Sequence, residues 1–408
     1  MDYKHRALER KVMSMSSAFK ALMVVGARQI GKSTMLQHLA EGQKRVCVSM
    51  DDSRLRELAR SDPRLFFQMY PPPLLIDEVQ KAPELFEQIK IICDSLDKKG
   101  LFWLTGSQSK NLAKCAGDSL AGRLCVLKMY SLSLSEILGV LTEQQPDFSF
   151  PALTERSRLL PVNNIKDIYG YIWRGGMPET LSLNDAQLYE YWNSYIDTYL
   201  MRDAVDDNRI GNTEGLRRFM RACAAFSGQM LSFSSLAEAA GISMPTAKEW
   251  IRILQNMGIV YLVEPFSSNE IKRLTKTPKL YFCDTGLCAF LSFWTDRDTL
   301  MNGAASGRFF ENYVTGQLLR AFAYNGGPVN MTYYRDQNKK EIDLIIEQDG
   351  KLHPLEIKRS ADPDKKLVRG FDVLNKATLQ TGAGGIVCMA EAPFPIDSNN
   401  SLIPANIL

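Results

Sequence analysis

The apolar positions of this chain fall into short runs separated by glycine, proline and charged residues, and their period changes along the sequence. Ala21 to Val25 form an unbroken apolar strand, followed by a glycine-bounded loop and then "KSTMLQHLA", whose apolar residues recur at helical spacing. Leu74, Leu75 and Ile76 form a second buried strand, and "LFWLTGSQS" supplies a third. Residues 141 to 164 contain three prolines and little periodicity, and read as a long connection. Beyond them, "IYGYIWRGGMPETL" and "YWNSYIDTYLMRDAVDD" carry aromatics at helical spacing, a pattern that serves a core more often than a site.

The stretch "LSFSSLAEAAGISMPTAKEWIRILQNMGIVYLVEPF" has a different shape. Ser234 or Ser235 caps a helix running to Ala240, "GIS" makes a turn, and a second helix runs from Pro245 to about Met257. Gly258 closes it and "IVYLVEPF" follows as a strand, the order of a helix-turn-helix with a wing. Lys248 and Arg252 share a face of the second helix, and Lys272, Arg273 and Lys276 follow in the next loop. Two readings stand: phosphate contacts to DNA, or an interdomain spacer whose positive face Glu249 dilutes.

Near the end, Glu341 to Glu347 read as a strand, Gln348-Asp349-Gly350 as a tight turn, and Leu352 to Lys358 as the returning strand. Residues i and i+2 of a strand share a face, so Glu356 and Lys358 project together and the hairpin brings Asp343 towards them. Upstream, "GRFFENYVTGQLLRAF" is an amphipathic helix with Glu311 near its start.

Composition narrows the class. With 408 residues, 45% hydrophobic and 23% charged, the chain has room for two to four ordinary globular domains. A net charge of +3 neither demands nor excludes a nucleic-acid partner. Eight cysteines without a CxxC pair and three histidines argue against a zinc cluster, a disulfide framework or a histidine-rich metal site. The charged opening "MDYKHRALERKV" lacks a signal-peptide core, and no apolar run approaches the roughly 18 residues of a membrane span. The expectation is a cytoplasmic, reduced, multidomain protein with no membrane partner.

The first loop carries the most specific chemistry. It fits G-x-x-x-x-G-K-[ST], with Gly26, Ala27, Arg28, Gln29, Ile30, Gly31, Lys32, Ser33 and Thr34 in order. Such a turn aims backbone N–H groups and a helix N-terminus at phosphate, the lysine adds charge, and the Ser33 hydroxyl binds Mg²⁺. Asp77 and Glu78 emerge at the carboxyl end of the second strand, the edge where open α/β sheets bind ligands. Asp77 is expected to hold Mg²⁺ and Glu78 to polarise the attacking water; the alternative is an acidic turn that only ends the strand. At the end of the third strand, Thr105, Ser107 and Gln108 offer polar groups to a γ-phosphate, or Ser107 or Ser109 caps a helix.

Taken together, "GARQIGKST", "LLIDEVQKAPELF", "LTGSQSKNL", "SLAGR" and "YSLSLSEIL", covering most of residues 18 to 138, resemble the AAA+ ATPases. More narrowly they resemble a prokaryotic family with an AAA+ core and a C-terminal nuclease-like domain of unknown function, and "GGMPE" and "YLMRD" extend the likeness. The resemblance implies ATP as ligand, Ser107 in the sensor position, Arg123 as an arginine finger and a homo-oligomer. A salt bridge on a domain surface is the plainer reading of Arg123. Arg202 and Asp203 have no local support for a nucleotide role, and no second-sensor arginine motif follows.

The set Glu311, Asp343, Glu356 and Lys358 resembles the PD-(D/E)XK nucleases, with Ile342 where proline is usual before the aspartate. That resemblance implies Mg²⁺ or Mn²⁺ held by Glu311, Asp343 and Glu356, with Lys358 assisting cleavage of DNA. Charges covering a solvated sheet face are the alternative. The expected fold is therefore α/β: an AAA+ P-loop parallel sheet (1–140), linker and helical lid (141–225), a winged-helix module (226–270) and a restriction-endonuclease-like α/β domain (271–408).

Overall fold

A computed structural model describes residues 3–107, 120–141, 144–160, 164–201, 204, 210–267, 277–325, 330–337 and 340–408. The chain divides into two compact units: residues 2–132 with the short segment 254–258, and residues 133–253 with 259–408.

In the first unit, among the described residues, five parallel strands form one sheet in the order β2-β3-β4-β1-β5. They are β1 (Ala21–Gly26), β2 (Val46–Ser49), β3 (Leu74–Asp77), β4 (Phe102–Ser107) and β5 (Leu124–Lys128). Every residue of β1 is buried, as the unbroken apolar run requires of a central strand. Met23, Val25, Ile76 and Leu104 pack against Phe66, Phe86 and Ile89 of the covering helices. The order places β4 between β1 and β3, so the phosphate loop after β1 and the acids after β3 flank the polar end of β4. Helix α1 (Leu8–Ala18) precedes β1, and α2 (Lys32–Ala40) follows the loop.

The second unit begins with helices. The stretch 141–164, expected as a connection, contains a ten-residue helix, Phe150–Leu159. Pro151 lies in its first turn, where a missing N–H costs no hydrogen bond, so proline here starts a helix. Gly175 and Gly176 of "GGMPE" meet Asp284, whose Oδ2 accepts from the Gly176 N–H at 2.9 Å. A Cβ on Gly175 would lie 2.2 Å from Asp284 Oδ1, so this glycine is a close-approach requirement.

Helix Thr213–Ala225, β6 (Gln229–Met230), helices Phe233–Ala240 and Met244–Asn256, then β7 (Val260–Pro265) and β8 (Lys279–Phe282) follow in order. The first of the two short helices is capped by Ser232, whose Oγ accepts from the Ser235 N–H at 3.2 Å; Ser234 and Ser235 already lie inside it. β8 pairs antiparallel with both β6 and β7. From β7 the sheet continues through β9 (Met331–Arg335), β10 (Glu341–Gln348), β11 (Lys351–Ile357), β13 (Gly384–Cys388), β15 (Asn400–Pro404) and β14 (Phe394–Pro395), with β12 (Gln380–Thr381) on β11. Asp349 and Gly350, both at positive φ, make the expected turn between β10 and β11. Ile342, Ile345, Phe371, Leu374, Ile386 and Leu402 form the core beneath this part. No helix among the described residues is long and apolar enough to cross a membrane.

Candidate functional site

The loop Ala27–Gly31 leaves β1 through Gly26, where a Cβ would lie 2.3 Å from the Met129 carbonyl oxygen. It enters α2 through Gly31 at φ 90°, a left-handed cap that glycine adopts without steric cost. Gln29 is also left-handed, at φ 61°. Lys32 is 5% exposed and donates from Nζ to the carbonyls of Ala27 at 2.7 Å and Gly26 at 3.1 Å, arching over the loop. Arg6 pins the loop from outside: its guanidinium donates to Ile30 O at 2.8 Å and Tyr130 O at 2.7 Å. Nothing in the charged opening distinguishes Arg6 from its neighbours, since both partners are remote in sequence.

At the ends of β3 and β4 the polar groups converge. Ser33 Oγ donates to Asp77 Oδ1, Thr105 Oγ1 donates to the same oxygen at 2.5 Å, and Ser49 Oγ donates to Asp77 Oδ2 at 3.3 Å. Thr105 Oγ1 also accepts from the Glu78 N–H at 3.0 Å. Glu78 stands at φ 55°, a conformation costing roughly 1–3 kcal/mol for a side chain of this kind. Gln80 Nε2 donates to Glu78 Oε2 at 2.5 Å, which fixes where that carboxylate points. A hydroxyl and a carboxylate beside a glycine cradle and a buried lysine are the donor set of a Mg²⁺–triphosphate, and the residues fit that group.

Ser107 pairs in register with Gly26, so its backbone stands beside the start of the loop. Gln108 and Ser109 lie outside the described residues, as do Arg202, Asp203, Lys272, Arg273 and Lys276. Arg123 immediately precedes β5, and its carbonyl accepts from the Ala21 N–H at 3.1 Å. It is therefore at the opposite end of β1 from the loop, roughly 17 Å away at 3.3 Å per residue. Its guanidinium grips Asp94 through Nε (2.5 Å) and Nη2 (3.0 Å), and this hydrogen bonding holds the Asp94 carboxyl below its ordinary range.

The second unit holds a separate buried cluster. Asp343 on β10 and Glu356 on β11 are both nearly buried, and Lys358 Nζ bridges them at 2.8 and 2.7 Å. Asp343 Oδ2 also accepts the Ile357 N–H at 2.8 Å. Burial alone would raise the Asp343 carboxyl, but the charges of Lys358 and Lys279 and these hydrogen bonds hold it below its ordinary value. Glu356 goes the other way: burial and then the Asp343 charge push it up to about 8, against the pull of Lys358.

Glu311, on the helix Ser306–Asn325, does not join Lys358. Its Oε1 accepts from Lys279 Nζ at 3.0 Å and from Tyr281 Oη at 2.7 Å. Lys279 also meets Glu341 Oε1 at 2.8 Å, and its side chain is 4% exposed. Burial would lower the Lys279 ammonium, yet Glu311, Asp343 and Glu341 together hold it above its ordinary value. Lys279 escaped the sequence reading, although a lysine opening the otherwise apolar strand "KLYF" was a usable signal. Among the described residues no group of three or more His, Cys, Asp or Glu side chains is gathered so as to hold a metal ion. Ammonium groups stand where Glu311, Asp343 and Glu356 would have to share one, so the cluster as built does not fit a divalent ion.

In the helix Met244–Asn256, Arg252 is 71% exposed at its side chain and lies 3.7 Å from Glu249, and Lys248 Nζ stands 5.7 Å above the Phe233 ring.

Residues 18–138 match the model of an AAA domain. Residues 165–298 and 306–408 match two domains of unknown function, DUF8612 and DUF4143. The chain is 26% identical to the uncharacterized protein Rv2008c of Mycobacterium tuberculosis, over 94% of this chain and 80% of that one. It is 23% identical to the uncharacterized protein MJ1544 of Methanocaldococcus jannaschii, over 80% of this chain and 72% of that one. Among solved structures it is similar to the Walker-type ATPase PABY2304 of Pyrococcus abyssi, at 14% identity and a TM-score of 0.45, covering 71% of this chain and 96% of that one. The family match makes residues 18–138 an AAA-like domain.

Proposed function

We propose that this chain is a Mg²⁺-dependent ATP hydrolase that uses nucleotide to control engagement of DNA by its second unit. The observation that carries the first half is the convergence of Ser33, Asp77 and Thr105 beside the loop that Lys32 closes. Mg²⁺ bound with ATP would neutralise phosphate charge, and Ser33 and Asp77 would hold it. Lys32 exchanges its loop carbonyls for phosphate oxygens, and the N-terminus of α2 faces the same charge. Glu78, steered by Gln80, orients the attacking water and takes up its proton. Ser107, beside Gly26, is a candidate to sense the γ-phosphate. Arg123 is too far along the sheet to serve its own loop, so a finger role requires a neighbouring copy in a homo-oligomer.

DNA is the partner that the second unit suits best. The order β6, two helices, β7, β8, with β8 antiparallel to both other strands, supports a winged-helix reading, and Lys248 and exposed Arg252 lie on its second helix. Glu311, Asp343, Glu356 and Lys358 in one region support a PD-(D/E)XK-like ancestry, but closure of the carboxylates by lysines argues against metal-dependent cutting of DNA there.

The test measures ATP turnover and DNA affinity together across a salt series. Lys248→Ala with Arg252→Ala should weaken DNA binding and shrink the slope of affinity against salt by about one unit per lost phosphate contact. An unchanged slope rejects the DNA role of this module, and absent ATP turnover with Mg²⁺ and DNA present rejects the motor.

A further inference from the structure

We infer that Lys279 is the resident cation of the C-terminal carboxylate cluster, occupying the position of a divalent ion and keeping the site metal-free. The inference deepens the reading of the second unit as a binding module. Its basis is geometric. The ammonium lies 3.0 Å from Glu311 Oε1 and 2.8 Å from Glu341 Oε1, carboxylates brought together from a helix and a strand. The Tyr281 hydroxyl takes a further hydrogen-bonding position on Glu311 at 2.7 Å, and the Tyr333 ring lies 5.3 Å from Lys279 Nζ. The lysine side chain is 4% exposed, so it cannot swing into solvent to make room without opening the strand that carries it.

A hard divalent ion at this position needs several oxygen ligands and a net negative shell. An ammonium already there contributes one positive charge and three N–H donors, which consume the same oxygens. Lys358 does the equivalent between Asp343 and Glu356, but its side chain is 36% exposed and has a route out. Lys279 has none, and it is therefore the residue that sets the metal preference of the cluster. Taking away its charge leaves Glu311 buried with only the Tyr281 hydroxyl, beside a half-buried Glu341 whose other oxygen lies 3.7 Å from Arg335, and a divalent ion would relieve the buried charge.

The experiment is a Mn²⁺ titration of the full-length, nucleotide-free chain, followed by electron paramagnetic resonance of free Mn²⁺, with circular dichroism to check folding. Wild type and Lys279→Arg should show no Mn²⁺ binding that depends on Glu311. Lys279→Met, similar in length but uncharged, should gain Mn²⁺ affinity by about tenfold or more, since ligand charge sets the affinity of such sites. Adding Glu311→Gln to Lys279→Met should remove the gain, which assigns it to this cluster rather than to Ser33 and Asp77. A folded Lys279→Met that gains nothing overturns the inference. So does wild-type binding that Glu311→Gln abolishes. Should Lys279→Met fail to fold, the wild-type comparison with Glu311→Gln still decides: a Glu311-dependent site rejects the inference and its absence supports it. Neither readout involves DNA or ATP, so a failure of the DNA reading leaves this result separate.

Discussion

Thr105 ties Asp77 to the residue after it: one hydroxyl donates to the Asp77 carboxylate at 2.5 Å and accepts from the Glu78 N–H at 3.0 Å. Thr105→Val keeps the shape and removes both bonds. Such groups behind a metal or catalytic carboxylate are commonly worth ~10–100-fold, and ATP turnover should fall by about that factor. Nucleotide affinity should stay near wild type, because Thr105 bonds neither Lys32 nor the loop. Steady-state turnover with nucleotide titration checks it, and equal turnover would reduce Thr105 to a packing residue.

The two charged residues of the motor should separate. Lys32→Ala removes the cation that faces phosphate and should abolish nucleotide binding or hydrolysis while the fold persists. Glu78→Gln preserves the bond to Gln80 in shape and should still bind ATP, with turnover reduced by about 10²-fold or more. Wild-type turnover in Glu78→Gln would mean that another group orients the water.

Arg123 offers a distinction between two roles. As a surface partner of Asp94 alone, its loss should leave melting temperature and turnover almost unchanged. As a finger acting in a neighbouring copy, Arg123→Ala should bind nucleotide without hydrolysing it. Mixing it with Lys32→Ala chains should then restore part of the activity. No recovery in verified mixed oligomers argues for the surface role.

The C-terminal cluster predicts a pH dependence of stability. Glu356 titrates at about 8 in the folded chain, against about 4.3 for an unfolded glutamate. Between these values the folded state holds a proton that the unfolded state lacks, so stability declines as pH rises from about 4.5 to 8. Glu311, also raised by burial, acts in the same direction. Asp343 is depressed, so its contribution is lost only as pH falls through its folded value, below about 3.9, outside that window. Glu356→Gln should flatten the fall in urea midpoint between pH 5.5 and 8, with any remaining slope due to Glu311. An identical fall in wild type and variant would remove Glu356 from the effect.

Legibility in the sequence followed the range of the contacts. The phosphate loop, the acids after β3 and the β10–β11 hairpin are written in contiguous residues whose glycine spacing and apolar runs dictate local geometry. The helix Phe150–Leu159 was hidden because Pro151 reads as a breaker until its place in the first turn is known. Lys279 and Arg6 were hidden for a different cause. Glu311 and Glu341 follow Lys279 by many residues, and Tyr130 comes late after Arg6, so only the folded sheet brings each set together. Lys358 meets Asp343 and Glu356 because one hairpin carries the three, a juxtaposition its period-2 spacing predicts, whereas Glu311, on a distant helix, faces Lys279.

The parallel junction of β7 with β9, Glu264 beside Thr332 and Pro265 beside Tyr333, bears on how the chain can be dissected. A fragment cut at residue 306 would keep β9 but lose the strand that covers its outer edge, leaving backbone N–H and C=O groups open to pairing between molecules. The same cut removes Lys279 and Tyr281 and strips Glu311 of both its partners. Such a fragment should aggregate or, with its carboxylates uncovered, pick up divalent ions at a cluster that Lys279 keeps closed in the intact chain. A cleavage activity seen only in the excised piece would then be a product of the scissors.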